Sequence, residues 1–269
     1  VKNDSPPHHE LETVADEAFF QSHYNQLQTF YPGLTLKRFQ REQSELKLKK
    51  QDWLIGRPLA YWHGKCEFYD LEIKVNQSVL IPRPETEYLV DLIVQEYKFQ
   101  NQGPDFKVLD LCCGSGCIGL ALKSKFPQWS IVLSDISSAA LSVAQENAKR
   151  LNLDVRCVLS DLGDKFQTST FDLIISNPPY VPASGGIDPS VRFEPAMAIF
   201  VDDAKYEDFF SRLFGDIKQL LKPGGRFMME GDSRMMDLYL QLLYSAKETS
   251  IQVKEDLSGA KRFLFLSNS

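Results

Sequence analysis

The sequence has no apolar run approaching the roughly 20 residues that a membrane-spanning helix needs, although 43% of its 269 residues are hydrophobic. Cysteine is sparse and odd in number, five in all, with three crowded at Cys112, Cys113 and Cys117. That excludes the disulfide framework of a small secreted scaffold and fits a reducing compartment. Histidine is scarcer still, at four. His8, His9, His23 and His63 lie far from the cysteines in sequence and find no second cysteine cluster. No metal site is expected, and the cysteines read as small residues packing a tight turn. Positive charge is also short: the formal net charge is −6, which argues against a broad basic footprint and so against direct nucleic-acid binding. Glu10, Glu12, Asp16 and Glu17 stand where a signal peptide would be basic and then apolar. No membrane partner is expected, and the cytoplasm is the expected location. No internal repeat or low-complexity tract occurs.

What is present is organised around Asn177-Pro178-Pro179-Tyr180. The preceding run, 171–176, is short, apolar and rich in β-branched residues, and two prolines cannot continue a sheet ladder, so the motif falls at a strand's carboxyl end. Each proline holds the residue before it extended. The Asn177 carboxamide oxygen and the Pro178 carbonyl could then accept both hydrogens of a primary –NH2, with the Tyr180 ring packing the substrate. Such a site suits methylation of a planar nitrogen, because holding both N–H groups turns the delocalised lone pair toward an electrophile. A bare strand-ending turn would carry the same letters, so the motif gains weight only from a cofactor site elsewhere.

That site is expected at the strand 107–111, which feeds Cys112-Cys113-Gly114-Ser115-Gly116 and then an apolar-faced helix over 118–125, the first βα unit of a doubly wound sheet. The next strand ends at Asp135, about twenty residues past the glycines, where an acidic side chain can bind two ribose hydroxyls. Dinucleotide enzymes use a third glycine to bring a helix up to a pyrophosphate. With Ile118 and Gly119 in that region, the turn is expected to serve a cofactor with a ribose and no phosphates, such as S-adenosylmethionine. A helix over 138–151 and a strand over 155–159 follow, and Ser160-Asp161-Leu162 lies where adenine contacts would fall.

The remaining chain completes an α/β architecture with a doubly wound, Rossmann-like sheet and an antiparallel edge. Three regions are expected: a small helical domain over 1–62, a β-hairpin connector over 63–82 interrupted by Asn76-Gln77-Ser78, and the catalytic domain over 83–269. A helix should run from Pro84 to about Tyr97, with Arg83 between two prolines lining the site. The segment 181–196, containing Arg192 and Glu194, is too long for a plain connection and reads as a substrate lid. A surface loop with an Arg-Glu pair is the alternative.

Together, Gly56 to Tyr61, Leu80 to Glu87, Asp110 to Gly116, Asn177 to Tyr180 and Arg192-Phe193-Glu194-Pro195 resemble the peptide chain release factor glutamine methyltransferases, the HemK/PrmC family. The resemblance covers most of the chain from about Gly56. It implies transfer of a methyl group from S-adenosylmethionine, leaving S-adenosylhomocysteine, to the side-chain amide nitrogen (N5) of the glutamine in a release factor's Gly-Gly-Gln loop. It implies that Asn177, Pro178, Pro179 and Tyr180 hold that glutamine, with Arg83, Arg192 and Glu194 beside it. The implied cofactor contacts are Asp110, Cys112, Cys113, Gly114, Ser115, Gly116, Asp135, Asp161, Leu162 and Asn177, and the helical 1–62 segment would dock the protein substrate. Cys113 stands where the family more often has threonine, and Leu162 where an aromatic residue often flanks the adenine. The alternatives are an adenine-N6 DNA methyltransferase, which would have to flip its base, a glutamine methyltransferase acting on a ribosomal protein, and a non-catalytic binding module on the same fold.

Overall fold

The computed structural model describes residues 58–100, 102–185, 189–245 and 250–268. The helical segment expected before residue 58 lies outside them. Contacts divide the chain into two units, residues 1–63 and 64–269. Of the first, the described part is helix α1, Leu59–His63.

The second unit opens with a hairpin, β1 (Lys65–Phe68) and β2 (Leu71–Lys74), paired antiparallel with Phe68 opposite Leu71. Its turn is Tyr69-Asp70, both in the left-handed region at φ 49° and 64°, as a two-residue hairpin loop requires. The expected interruption at Asn76-Gln77-Ser78 is a separate turn beyond the hairpin, in which Ser78 N–H donates to Asn76 Oδ1. The Asn signal was read correctly as a turn but assigned to the wrong strand end.

Helix α2 (Pro84–Tyr97) has proline in its first turn with Glu85 and Glu87 beside it, which suits the positive end of the helix dipole. It buries Leu89, Val90, Ile93 and Tyr97, one face at helical spacing. Tyr97 ends against the edge of Trp129, ring centroids 5.4 Å apart.

The core is a seven-stranded sheet in the order β10-β11-β9-β6-β3-β4-β5. Strands β3 (Lys107–Leu111), β4 (Ser130–Asp135), β5 (Arg156–Leu159), β6 (Phe171–Ser176) and β9 (Leu221–Glu230) run parallel. Strand β11 (Lys261–Ser267) joins β9 antiparallel, and β10 (Ile251–Glu255) joins β11 antiparallel, the expected antiparallel edge. Central strands β3 and β6 are buried almost throughout, because helices cover both faces of a parallel sheet. Between the strands run α3 (Cys117–Lys125), α4 (Ser138–Arg150), α5 (Tyr206–Leu220) and α6 (Met236–Ser245). Ser137 caps α4 by accepting the Ala140 N–H at 3.2 Å.

Helix α5 gives way directly to β9 at Leu221. Leu221 already pairs with Phe171, and the register shifts before Arg226. Lys222-Pro223-Gly224-Gly225 is therefore an irregularity inside the strand: Gly224 sits at φ 76°, and a Cβ on Gly225 would come within 2.9 Å of the Lys222 carbonyl.

The chain enters at β3, moves outward through β4 and β5, then crosses to β6 on the other side of β3. That reversal opens a crevice beyond the carboxyl ends of β3 and β6. Both motifs singled out in the sequence emerge there.

Candidate active site

The turn after β3 is built from residues that tolerate left-handed backbone. Cys112, Gly114 and Gly116 have φ of 60°, 53° and 79°, so the chain curls, and its amides bond within the turn and to β4: Cys113 N–H donates to the Ser134 carbonyl and Gly116 N–H to the Cys113 carbonyl. Cys112 adopts this conformation without being glycine, a strain that persists only where the surroundings impose it. Nothing lies within 4 Å of where a Cβ on Gly114 would sit, so its glycine leaves the backbone open to a ligand. Gly119 has the opposite reason: a Cβ there would meet Leu133 at 2.3 Å. Gly114, Gly116 and Gly119 thus complete the G-x-G-x-x-G spacing, and Gly119 is the third glycine that lets helix and strand close. The expectation that this region departs from the dinucleotide pattern is corrected here, and glycine spacing alone does not discriminate between the two cofactor types.

Asp135, at the end of β4, holds that turn together. Its Oδ2 accepts the Gly114 N–H at 2.9 Å and its Oδ1 accepts the Ser137 N–H at 2.8 Å. Burial raises its pKa, and the backbone N–H groups oppose the rise. One lone pair on each oxygen remains for a ligand. The neighbouring Ile136 is left 54% exposed, an apolar shelf on the same rim.

Opposite, Leu162 is a second non-glycine residue with positive φ, 45°. Ser160 holds its turn by donating to the Leu162 carbonyl at 2.9 Å. Asp161 accepts from Arg212 of α5 at 2.8 Å.

These elements enclose a cavity of about 610 Å³, within the size range of small-molecule sites. Cys112, Cys113, Gly114, Ser115, Asp135, Asp161, Leu162, Asn177 and Pro179 line it, nine of the expected site residues brought together from four strand ends. Sequence reasoning missed other parts of the wall: Pro82 and Thr86 before and within α2, Ile136, Met197 and Phe200 after the lid segment, and Phe209 of α5. Thr86 was in view as part of a helix start, and nothing in its local pattern marks it as facing a ligand.

Asp110, Gly116, Arg83, Arg192 and Glu194 are not among the lining residues, nor are Pro178 and Tyr180 of the Asn-Pro-Pro-Tyr turn. Asp110 is fully buried beneath the glycine turn, where Oδ2 accepts the Gly119 N–H at 2.8 Å and Oδ1 has no partner. Burial pushes its carboxyl up to about 7. Gly116 packs against Leu133 and Ala144. Arg83 pairs with Glu194, whose other oxygen accepts the Ile81 N–H at 2.9 Å. Glu194 is 6% exposed. The pair fastens the segment after Ile81 to the lid segment, so the charged partner of Glu194 is Arg83 and not Arg192. Arg192 sits over the Phe193 ring at 5.2 Å. The segment 181–196 begins with β7 (Val181–Pro182), which pairs parallel with β8 (Phe200–Val201) beyond it.

The Asn-Pro-Pro-Tyr turn is held from several sides. Tyr180 O–H donates to Glu230 Oε1 at 2.8 Å, and the Tyr180 carbonyl accepts from Tyr206 O–H at 2.7 Å. Pro178 is buried. Asn177 donates through Nδ2 to Thr86 Oγ1 at 3.1 Å, and among the described residues nothing donates to its Oδ1. The site therefore offers a carboxamide oxygen at one side of a cavity and a carboxylate with spare lone pairs at the other. Among the described residues no group of three His, Cys, Asp or Glu side chains could hold a metal, and no helix is long and apolar enough to cross a membrane. All five cysteines are free.

Residues 87–190 match the family model described as the methyltransferase small domain. The chain is 37% identical over 230 residues to a release factor glutamine methyltransferase of Leptospira interrogans, covering 79% of this chain and 75% of that one. A protein of the same name from Chlamydia trachomatis serovar D is 36% identical, covering 78% of this chain and 72% of its own length. In fold alone, the chain is similar to a methyltransferase from Pyrococcus furiosus, with a TM-score of 0.54 and 19% identity over 74% of this chain and 89% of that one.

Proposed function

The chain belongs to the release factor glutamine methyltransferase family, and from that premise we propose that it methylates the side-chain nitrogen N5 of the glutamine in the Gly-Gly-Gln loop of release factors. It is an S-adenosylmethionine-dependent methyltransferase. The cofactor, when bound, supplies an electrophilic methyl group on a sulfonium. The residues present fit it: an open backbone at Gly114, spare Asp135 lone pairs for a ribose diol, and the apolar side chains of Ile136 and Leu162 in the lining of the same cavity.

The observation that carries the substrate reading is the polarity of Asn177. Its N–H2 is engaged by Thr86, so its Oδ1 is the atom left for a substrate, and an oxygen selects a donor. A primary amide has two N–H groups to give, one to Asn177 Oδ1 and one to the Pro178 carbonyl, which accepts from no described residue. Held so, the amide lone pair turns out of conjugation toward the methyl group, and both acceptors stabilise the positive charge that develops on nitrogen. The N–H proton that becomes acidic after transfer can leave to water, so no base of unusual pKa is needed. Pro179 and the Tyr180 ring support the turn. Asp110, Gly116, Arg83, Arg192 and Glu194 act in this reading from behind the cavity wall, the first two by shaping the cofactor turn and Arg83 with Glu194 by fastening the lid segment. Residues 1–62 are the proposed docking surface for the protein substrate, and the place of action is the cytoplasm. With a net charge of −6, nucleic acid is not the proposed acceptor.

The experiment offers the purified protein a Gly-Gly-Gln loop peptide, the same peptide with glutamate, and unmethylated duplex DNA. Mass spectrometry should find one methyl group on the glutamine nitrogen and none on glutamate, which lacks the donors. Label on adenine with none on the peptide would transfer the reading to DNA, and label on neither would favour a binding module.

A further inference from the structure

Thr86 and Glu230, to which the sequence assigned no role, form a chain with Tyr180 behind Asn177. Thr86 Oγ1 accepts from Asn177 Nδ2 at 3.1 Å and donates to Glu230 Oε2 at 2.7 Å. Glu230 Oε1 accepts from Tyr180 O–H at 2.8 Å. Thr86 and Glu230 are 2% and 1% exposed, so water cannot readily take the place of either.

The direction of this chain follows from counting hydrogens. An ionised carboxylate only accepts. Both hydroxyls that meet Glu230 must therefore donate to it, and each has only one hydrogen. Thr86 then has nothing but lone pairs to show Asn177, and a lone pair can be met only by the amide N–H2. The carboxamide must turn its oxygen the other way, into the cavity it shares with Thr86. Burial raises the Glu230 pKa, and the hydrogen bonds from Thr86 and Tyr180 together with the charge of Arg262 oppose the rise; Arg262 is itself bonded through Nε to Asp256 at 2.6 Å.

We propose that Thr86, polarised by Glu230, is a positioning residue that sets which end of the Asn177 carboxamide faces the substrate. An asparagine left to itself can rotate by a half turn about its last bond at small cost, because its two ends are alike in size. The flipped form would present N–H2 to the N–H2 of the substrate, donor against donor. The relay removes that form. This rests on the proposed amide acceptor for its consequence in turnover, while the orientation itself is testable without any acceptor.

The test joins a spectrum to kinetics. In the 15N-labelled protein, the Asn177 side-chain amide pair is assigned by its disappearance in Asn177→Asp. One of its two protons should be shifted downfield and protected from exchange in the wild type and in Thr86→Ser, and should lose both marks in Thr86→Val. In methylation of the loop peptide, Thr86→Val should lower kcat by about ten- to a hundredfold, the range for losing a group that fixes a transition-state contact, with the peptide KM changed by less than about threefold. Thr86→Ser should return kcat to within about threefold of wild type. The proposal is overturned if Thr86→Val lowers the melting temperature yet keeps wild-type kcat, or if the Asn177 protons are alike in the two proteins. Should the valine variant not fold, the wild-type spectrum decides, since an Asn177 amide that exchanges like a surface asparagine's also overturns it. A wild type that leaves the peptide unmethylated defeats the glutamine reading, while the spectrum still judges the relay.

Discussion

Replacing Asp135 by alanine separates the bracing role that the structure gives this side chain from the proposed role toward the cofactor. The first is internal: both carboxylate oxygens accept backbone N–H groups, from Gly114 and Ser137. Each such bond is worth about 0.5–1.5 kcal/mol net, and a donor left unpaired costs about 1–3 kcal/mol. Gly114 lies on the cavity wall, where water can replace the lost acceptor, so the fold should lose about 2–3 kcal/mol in all. The second role is toward the ligand, where charged hydrogen bonds to a ribose diol contribute about 1.5–3 kcal/mol, equivalent to a rise in Kd of roughly tenfold to somewhat over a hundredfold. Calorimetric titration with S-adenosylhomocysteine reads the second loss and a melting curve reads the first. Asp135→Asn is the informative control: it keeps the size and one accepted bond, so its melting temperature should fall less than that of alanine while the charge is gone. A folded Asp135→Ala protein that binds S-adenosylhomocysteine within threefold of wild type would remove Asp135 from the ligand site and leave it only as a brace for the turn.

Asn177→Ala should lower kcat for the loop peptide by about a hundredfold or more, as loss of a positioned transition-state group does, with the Kd for S-adenosylhomocysteine changed far less; steady-state kinetics beside calorimetry checks both. Asp110 gives a pH signature. Burial raises its folded pKa from 3.8 to about 7, so its neutral form is favoured in the folded state, and its contribution to stability is full below about pH 4 and lost as pH rises through 7. Asp110→Asn, which carries no charge to bury, should therefore gain in melting temperature relative to wild type as pH is raised from 4 to 8. A difference between the two that does not vary with pH would contradict the assignment.

The local elements were legible because their signals are local. Proline with two glutamates starts α2, β-branched runs make β3, β4 and β6, and Ser137 opens α4; each depends on backbone preferences or hydrogen bonds spanning a few residues. The strand-ending position of Asn177 and the acid at Asp135 were readable for the same reason, since both sit where a periodic run stops. The chain by itself therefore determined that a glycine turn, an acid and a carboxamide would stand at the carboxyl ends of parallel strands. Where local signals compete, the reading went astray. Tyr69-Asp70 is a less evident turn than Asn76-Gln77-Ser78, yet β1 and β2 pair so that Phe68 and Ile73 reach the core.

Only the tertiary structure decided which of these residues line the cavity. Asp110 and Cys112 are two positions apart, but one supports α3 from within the sheet and the other lines the cavity, because the strand ends between them and the chain curls to positive φ. Glu194 pairs with Arg83, 111 residues earlier, a partnership that no local pattern around either residue announces. Thr86 and Glu230 lie 144 residues apart, on a helix start and a strand end whose sequences give no hint of each other. Folding brings them together behind Asn177, and hydrogen-bond direction, a property of the assembled chain of donors and acceptors and of no single residue in it, turns the asparagine's oxygen toward the cavity.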